Sequence, residues 1–195
     1  IHQTKCRGFR VEANFVTIDG FDIRSKDPYW KGIDVKGGNN VDIRYCYIHD
    51  CPSGAIRFSA SQSAKIVGNK IDNNGLAAIS LIGNNGLIEN NEISNIVQYH
   101  PAGPEPGLVG QDADGLRIFG SGHIIRGNSL TKIGDPSSPY NQNPHVDAIQ
   151  TWDGSSNGAP VMTNTIIEGN YISVSHPTGK GVLMESSSEN ACRDI

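Results

Sequence analysis

A ten-residue segment recurs six times along this chain, each time with a branched apolar residue at its fifth and tenth positions. Isoleucine occupies the fifth position in every copy, and isoleucine or leucine occupies the tenth. Such repetition predicts a solenoid, in which equivalent residues of successive coils lie above one another. The six segments are NFVTIDGFDI (14–23), NNVDIRYCYI (39–48), QSAKIVGNKI (62–71), NNGLIENNEI (84–93), SGHIIRGNSL (121–130) and TNTIIEGNYI (163–172).

A second apolar motif lies between successive copies of the first. The fifth-position isoleucines are 25, 23, 22, 37 and 42 residues apart, which indicates a period of about 23 residues with later insertions. Short β-segments at this period, with Gly and Asn at the corners, are typical of a parallel β-solenoid. Neither a leucine-rich LxxLxLxxN pattern nor a six-residue period occurs. We therefore predict one all-β domain, 1–195, folded as a right-handed parallel β-helix of about seven coils. The anchors of the second motif are Ile33, Ile56, Ile79, Leu116, Ile149 and Val182.

Asparagine recurs two residues before the tenth position in the last four copies, at Asn69, Asn91, Asn128 and Asn170. A column of Asn side chains can hydrogen-bond from coil to coil inside a tight turn. We therefore predict an Asn ladder with a structural role. Phe21 and Cys46 hold the same position in the first two copies, so the ladder begins at the third.

Composition narrows the function classes. The formal net charge is −4, which gives no basic surface for nucleic acid. No apolar run approaches the roughly 18 residues of a membrane span, and the start IHQTKCRGF has no signal-peptide pattern. The repeats reach both ends without a visible cap, so we expect a segment of a longer solenoid or a protein that associates end to end.

Three insertions lie beside the strand that carries the second motif, at 98–111, 134–144 and 154–162. Pro- and Gly-rich loops on one side of a solenoid commonly form its binding surface. The stretch HVDAIQTWDG (145–154) belongs to this strand and is rich in polar and aromatic residues. We expect it to be one level of an outward-facing surface that binds a ligand.

Alignment on the anchors stacks the polar residues of this surface. Asp147 aligns above Asp114, Gln150 above Arg117, and Lys180 above Asp147. Two carboxylates on adjacent coils repel unless a cation, a shared proton or a lysine lies between them. A hard cation with oxygen ligands fits best, so we predict a Ca²⁺ site.

The chain resembles the right-handed β-helix superfamily that includes pectate lyases and some glycoside hydrolases. DADGLRIFGSGHIIRGN is similar to the DADG-containing coil of family 9 pectate lyases, although that family clusters more Asp in the following coil, where this chain has HVDAIQ. The resemblance implies calcium-assisted β-elimination on a uronate-containing polysaccharide by a secreted or cell-surface enzyme. The predicted catalytic residues are Lys180 as base, Arg117 as charge stabiliser and His145; the predicted metal ligands are Asp112, Asp114 and Asp147; the predicted substrate-binding residues are Arg57, Gln150, Trp152, Asp153 and Glu185.

Two other function classes stay open. A glycoside hydrolase would use the paired carboxylates, which adjacent coils place roughly 5 Å apart. A non-catalytic adhesin, tailspike or filament solenoid would use the same surface without turnover. Asp114 and Asp147 also have a purely structural interpretation as turn caps, and Trp152 has one as the partner of Phe119. Cys46 and Cys51 are close enough in sequence to form a bridge across a corner.

Overall fold

The computed structural model describes residues 4–25, 30–97, 112–135, 144–152 and 162–185. Every regular element in these ranges is a β-strand, and all strand pairs are parallel. In the same ranges no helix has the length and hydrophobicity needed to cross a membrane. The strands form three long faces, which we call sheets A, B and C.

Within the described residues, sheets A and B take one strand from each of seven coils, and sheet C takes one from each of the first six. Sheet A contains β1 (Thr4–Cys6), β4 (Phe21–Arg24), β7 (Tyr47–His49), the first part of β10 (Lys70–Asn84), β12 (Glu92–Val97), β15 (Ser129–Ile133) and β18 (Tyr171–Val174). Sheet B contains β2 (Phe9–Val11), β5 (Ile33–Lys36), β8 (Ile56–Gln62), the second part of β10, β13 (Ala113–Ser121), β16 (Asp147–Trp152) and β19 (Lys180–Glu185). Sheet C contains β3 (Thr17–Asp19), β6 (Asp42–Arg44), β9 (Lys65–Val67), β11 (Leu87–Glu89), β14 (Ile124–Arg126) and β17 (Ile166–Glu168).

The chain visits the sheets in the order A, B, C and then returns to A, so each circuit is one coil of a parallel β-helix. Counting coils from β1, the described residues reach a seventh coil, which contains β18 and β19. The predicted fold class is confirmed.

The anchors of the second motif form the predicted column along sheet B. Ile33 pairs with Ile56, Ile56 with Ile79, Ile79 with Leu116, Leu116 with Ile149, and Ile149 with Val182. The first five are buried in the core, whereas Val182 in the seventh coil is 42% exposed. Equivalent isoleucine columns from sheets A and C fill the rest of the interior, so the predicted register is confirmed.

Asn91 shows how the ladder column is built. Its Nδ2 donates to Ile66 O and to Asn128 Oδ1, each at 2.9 Å, and its Oδ1 accepts from Asn69 N and Nδ2. Asn128 repeats this pattern towards Asn170. Because Asn69, Asn91 and Asn128 are buried, these bonds satisfy turn groups that water does not reach.

A column of small residues precedes the sheet B anchors: Gly32, Ala55, Ala78, Gly115, Ala148 and Gly181. A Cβ added at Gly115 would lie 2.4 Å from Ala148 O and 2.7 Å from a Leu130 methyl carbon. The backbone of the next coil therefore passes too close for a larger side chain.

The sequence spacing allowed a disulfide between Cys46 and Cys51, but the structure does not form it. Of the described cysteines, Cys6, Cys46 and Cys51 are free thiols. The Sγ of Cys46 contacts Arg44 O and the Sγ of Cys51 contacts His49 O, each at 3.3 Å. Burial raises the pKa of the Cys51 thiol to about 12, so this group stays protonated and packs as a small apolar side chain.

Candidate functional site

The outer face of sheet B carries the polar columns that the sequence predicted. Arg57 pairs with Ser80, Ser80 with Arg117, and Arg117 with Gln150 along successive strands. Lys180 pairs with Asp147 between β19 and β16. Since paired parallel strands lie about 4.8 Å apart, the structure stacks these residues coil by coil along one side of sheet B.

Arg117 organises the fifth coil of this surface. Its Nε donates to Asp114 Oδ2 at 2.7 Å, and its Nη2 contacts Asp112 Oδ2. The second oxygen of Asp114 accepts the backbone N–H of Asp147 at 2.9 Å. Burial raises the pKa of Asp114 to about 6, while the Arg117 charge and hydrogen bond act in the opposite direction. Asp114 therefore links two coils, and the charge of Arg117 is balanced inside the protein.

Asp147 and His145 form the sixth coil of the surface. His145 Nδ1 lies 3.2 Å from Asp147 Oδ2, and the His145 side chain is 41% exposed. Neither carboxylate oxygen of Asp147 accepts a hydrogen bond from a described residue. Burial raises the pKa of Asp147, and nearby His145 and Lys180 oppose that rise. The accessible imidazole thus contacts a buried carboxylate that has unused acceptor capacity.

The burial of the two carboxylates corrects an expectation from the sequence. Asp114 and Asp147 were expected to face solvent, yet both are 0% exposed. Adjacent coils are so close that side chains of one coil cover those of the next. Asp114 is held by Arg117 and by the backbone above it, and Asp147 lies against His145. These carboxylates therefore lie in a protected position, and His145 is the accessible group.

The other predicted site residues lie around this centre. Lys180 and Glu185 are exposed in β19, and Glu185 pairs with Trp152. The Trp152 ring meets Phe119 edge to face at a centroid distance of 4.4 Å, which confirms the aromatic pair. Gln150 is buried, and its Oε1 has no hydrogen-bond partner in the part of the chain that the structure describes.

Arg57 lies farther along the same face, in the third coil. It is held by two hydrogen bonds to Asp34, at 2.7 and 2.9 Å. Asp153 lies outside the described residues.

The metal prediction can be compared with the donor atoms present. Asp114, His145 and Asp147 bring ligand atoms to within 4.8 Å of one another. Ca²⁺ takes 6–8 oxygen ligands, but both oxygens of Asp114 already hold other groups and His145 supplies nitrogen. Among the described residues of β16, the buried side-chain oxygens without a hydrogen-bond partner are those of Asp147, Gln150 and Thr151. The described residues do not fit a resident Ca²⁺, and no step below uses one.

Lys31 also lies in this column, although it was not among the residues predicted from the sequence. Lys31 precedes Ile33 by two residues, as Asp114 precedes Leu116 and Asp147 precedes Ile149. Its ammonium donates to Ser53 Oγ at 2.8 Å, and burial lowers its pKa to about 8. The sequence did contain the information needed to predict Lys31, because Lys31 lies two residues before its sheet B anchor, as the two aspartates do before theirs.

The chain has similarity to a solved structure and to a protein-family model. The structure is similar to the crystal structure of alginate lyase from Paenibacillus sp. str. FPU-7, with a TM-score of 0.49 and 13% sequence identity, over 98% of this chain and 87% of that one. No curated protein matches the sequence at a significant level. A family model described as right-handed β-helix region matches residues 10–157, which is more than half of the chain. This chain therefore belongs to the right-handed β-helix family.

Proposed function

We propose that the outer face of sheet B binds an acidic polysaccharide and cleaves it by β-elimination. The observation that supports this proposal is the pairing of an accessible imidazole with a buried carboxylate, His145 with Asp147, beside the exposed ammonium of Lys180. Elimination next to a uronate carboxylate needs a base for the carbon-bound proton and a positive group for the carboxylate. This part of the face offers both. A substrate of this kind implies a secreted or cell-surface protein.

The proposed step uses the side chains as follows. Asp147 Oδ2 lies 3.2 Å from His145 Nδ1 and attracts that side of the ring electrostatically, so Nε2 is left to accept the proton from the carbon next to the substrate carboxylate. The electron pair of that C–H bond forms the new C=C bond. The glycosidic C–O bond breaks, its electrons leave with the oxygen, and that oxygen takes up a proton from water. Lys180 holds the substrate carboxylate and stabilises the charge that develops on it.

This assignment differs from the sequence-based role of Lys180 as the base. An ammonium must first lose its proton to act as a base, whereas histidine changes charge near neutral pH. Lys180 as base stays a prediction, and kinetics separate the two assignments. If His145 is the base, His145→Gln lowers kcat on the order of 100-fold or more with little change in KM. Lys180→Met then mainly raises KM.

The test follows the absorbance of the unsaturated product in the near ultraviolet, with sodium alginate and sodium polygalacturonate as substrates. Lys65→Met is the matched control, because Lys65 is exposed on β9 of sheet C. Equal kinetics for His145→Gln and the control would refute the proposed base. Absence of unsaturated product from the unmodified protein on acidic polysaccharides, with binding retained, would favour a non-catalytic solenoid.

Glycoside hydrolysis is a second candidate because of one distance. The ligand atoms of Asp114 and Asp147 lie within 4.8 Å of each other, close to the roughly 5 Å carboxyl separation of retaining glycosidases. Asp114, however, is committed to Arg117 and to the Asp147 backbone, so it lacks a free oxygen for attack. New reducing ends without near-ultraviolet absorbance would support the hydrolase.

A further inference from the structure

A cavity of about 830 Å³ opens at the first two coils, where sheet A turns into sheet B. Among the side chains that line it, Trp30 is 51% exposed and four are basic. An aromatic ring beside basic groups suits a ligand with both an apolar face and negative charge. The basic and aromatic lining residues are Arg7, Arg10, Arg24, Lys31, Phe9 and Trp30.

Two of the four basic groups have a counter-charge nearby. Arg10 contacts Glu12, and Arg24 lies 3.0 Å from Asp50. Arg7 and Lys31 form no ion pair with a described residue, and Lys31 is bonded to the neutral hydroxyl of Ser53. One carboxylate also lines the cavity, that of Asp22, and it lies 2.9 Å from His49 Nε2. Arg7 and Lys31 together exceed this single negative charge, so the cavity keeps an excess of positive charge, part of it half-buried, where a carboxylate is attracted more strongly than on an open surface.

The register connects this cavity to the candidate active site. The column that contains Lys31 continues through Gly54 and Ala77 to Asp114 and Asp147. Lys31 Cδ lies 3.5 Å from the point where Gly54 would carry a Cβ, so the lysine side chain extends along the column. Three coil steps separate Lys31 from Asp114, which is about 14 Å. The two positions between them, Gly54 and Ala77, carry no long side chain that would separate the two ends.

We propose that the Trp30–Lys31 cavity is a second carbohydrate subsite, which binds an acidic sugar unit of the same polysaccharide chain and favours long substrates over short ones. This inference rests on the proposed function, because it extends the site at His145 along the same face. Trp30 packs against the sugar ring, and Lys31 with Arg7 binds its carboxylate.

The chain contains two tryptophans, Trp30 and Trp152, so a single substitution isolates the fluorescence of the subsite. In Trp152→Phe, the remaining emission comes from Trp30 and should change saturably on titration with alginate or polygalacturonate oligosaccharides. Neutral cello-oligosaccharides should leave it unchanged. Adding Lys31→Met should weaken binding roughly tenfold, as expected for loss of one charge-assisted hydrogen bond. Adding Lys65→Met is the matched control.

Calorimetry on Trp30→Ala, with Phe15→Ala as an exposed aromatic control on another face, measures the same binding without a fluorescent reporter. Unchanged Trp30 emission, or equal affinity for the Lys31 and Lys65 variants, would overturn the subsite even if the enzyme is active. Saturable binding at Trp30 without turnover of either polymer would instead reject the proposed elimination and leave the subsite as a binding site. For an active enzyme, Lys31→Met should lower kcat/KM on long substrates and spare the shortest cleavable ones.

Discussion

A buried carboxylate without hydrogen-bond donors is costly, and Asp147 is such a group. It is 0% exposed, both of its oxygens lack a donor among the described residues, and burial raises its pKa. Groups of this kind cluster at functional sites because chemistry needs their capacity to interact. Under the proposed function, this cost in stability places a carboxylate next to His145.

We expect Asp147→Asn to stabilise the fold at pH 8 and to abolish turnover. The amide carries no charge, so the unpaired charge leaves the interior, and the gain should be on the order of 1 kcal/mol. Urea unfolding measures the change. Asp42→Asn is the control, because Asp42 also has one unpaired oxygen but belongs to sheet C. A loss of stability specific to Asp147→Asn would contradict the expectation.

The stability that Asp147→Asn gains over wild type should be smaller at acidic pH. In the folded protein the pKa of Asp147 is raised above its usual value of 3.8, so the folded state binds a proton that the unfolded chain releases. The contribution of this group to stability therefore falls as pH rises from about 4 through the raised pKa. At pH 4 wild type and Asp147→Asn should unfold at similar urea concentrations. Equal differences at pH 4 and pH 8 would exclude this titration as the cause.

The side chains around Asp147 also predict how the stability of the protein responds to calcium. Because the described donors leave few free oxygens and include an imidazole, millimolar Ca²⁺ should not raise the Tm, and chelation with EDTA should not lower it. Differential scanning fluorimetry provides the measurement. A Tm increase of several degrees that Asp147→Asn removes would show that a calcium site forms here.

At the scale of the elements, the ladder column connects neighbouring coils by hydrogen bonds at the corner between sheets C and A. Asn128 donates to Ile88 O, Arg126 O and Asn170 Oδ1, and it accepts from Asn91. It is 1% exposed, so loss of its side chain leaves turn carbonyls of the corner between sheets C and A without donors. The stacking of β11, β14 and β17 depends on these corners.

We expect Asn128→Ala to lower the free energy of unfolding by about 1–3 kcal/mol, because buried backbone groups lose their partners. Asn170→Ala is the matched control at the partly exposed end of the described column, where water replaces lost bonds, and it should cost less. Thermal and urea unfolding give both values. Equal costs at the two positions would argue against a buried ladder as the stabilising feature.

At the scale of the molecule, each coil contacts only its neighbours, so stability is close to a sum over coils and their interfaces. Asn69 and Asn91 are 22 residues apart and occupy equivalent positions. Residues 69–90 therefore form one complete coil, and their removal places β12 on β7 and β13 on β8 in the original register.

We expect the variant lacking residues 69–90 to fold with a lower Tm and an unchanged β-type circular dichroism spectrum per residue. Removal of residues 69–79 alone, about half a coil, should prevent folding because the sheets then fall out of register. If both deletions behave alike, the coil is not the independent unit that the sheet topology indicates.

The sequence alone determined the period, the three inward columns and the ladder positions. These features come from apolar spacing and turn residues, which each coil repeats locally; Ile33 to Val182 could therefore be aligned without coordinates. The same alignment correctly stacked Lys180 on Asp147 and Gln150 on Arg117.

Only the tertiary structure decided which side chains are buried and which charges neutralise each other. Asp114 and Asp147 were expected in solvent and are buried, and Arg117 is committed to Asp112 and Asp114. The physical reason is that register follows from spacing along one chain, whereas burial and charge pairing depend on side-chain conformation and on neighbouring coils that the spacing does not specify.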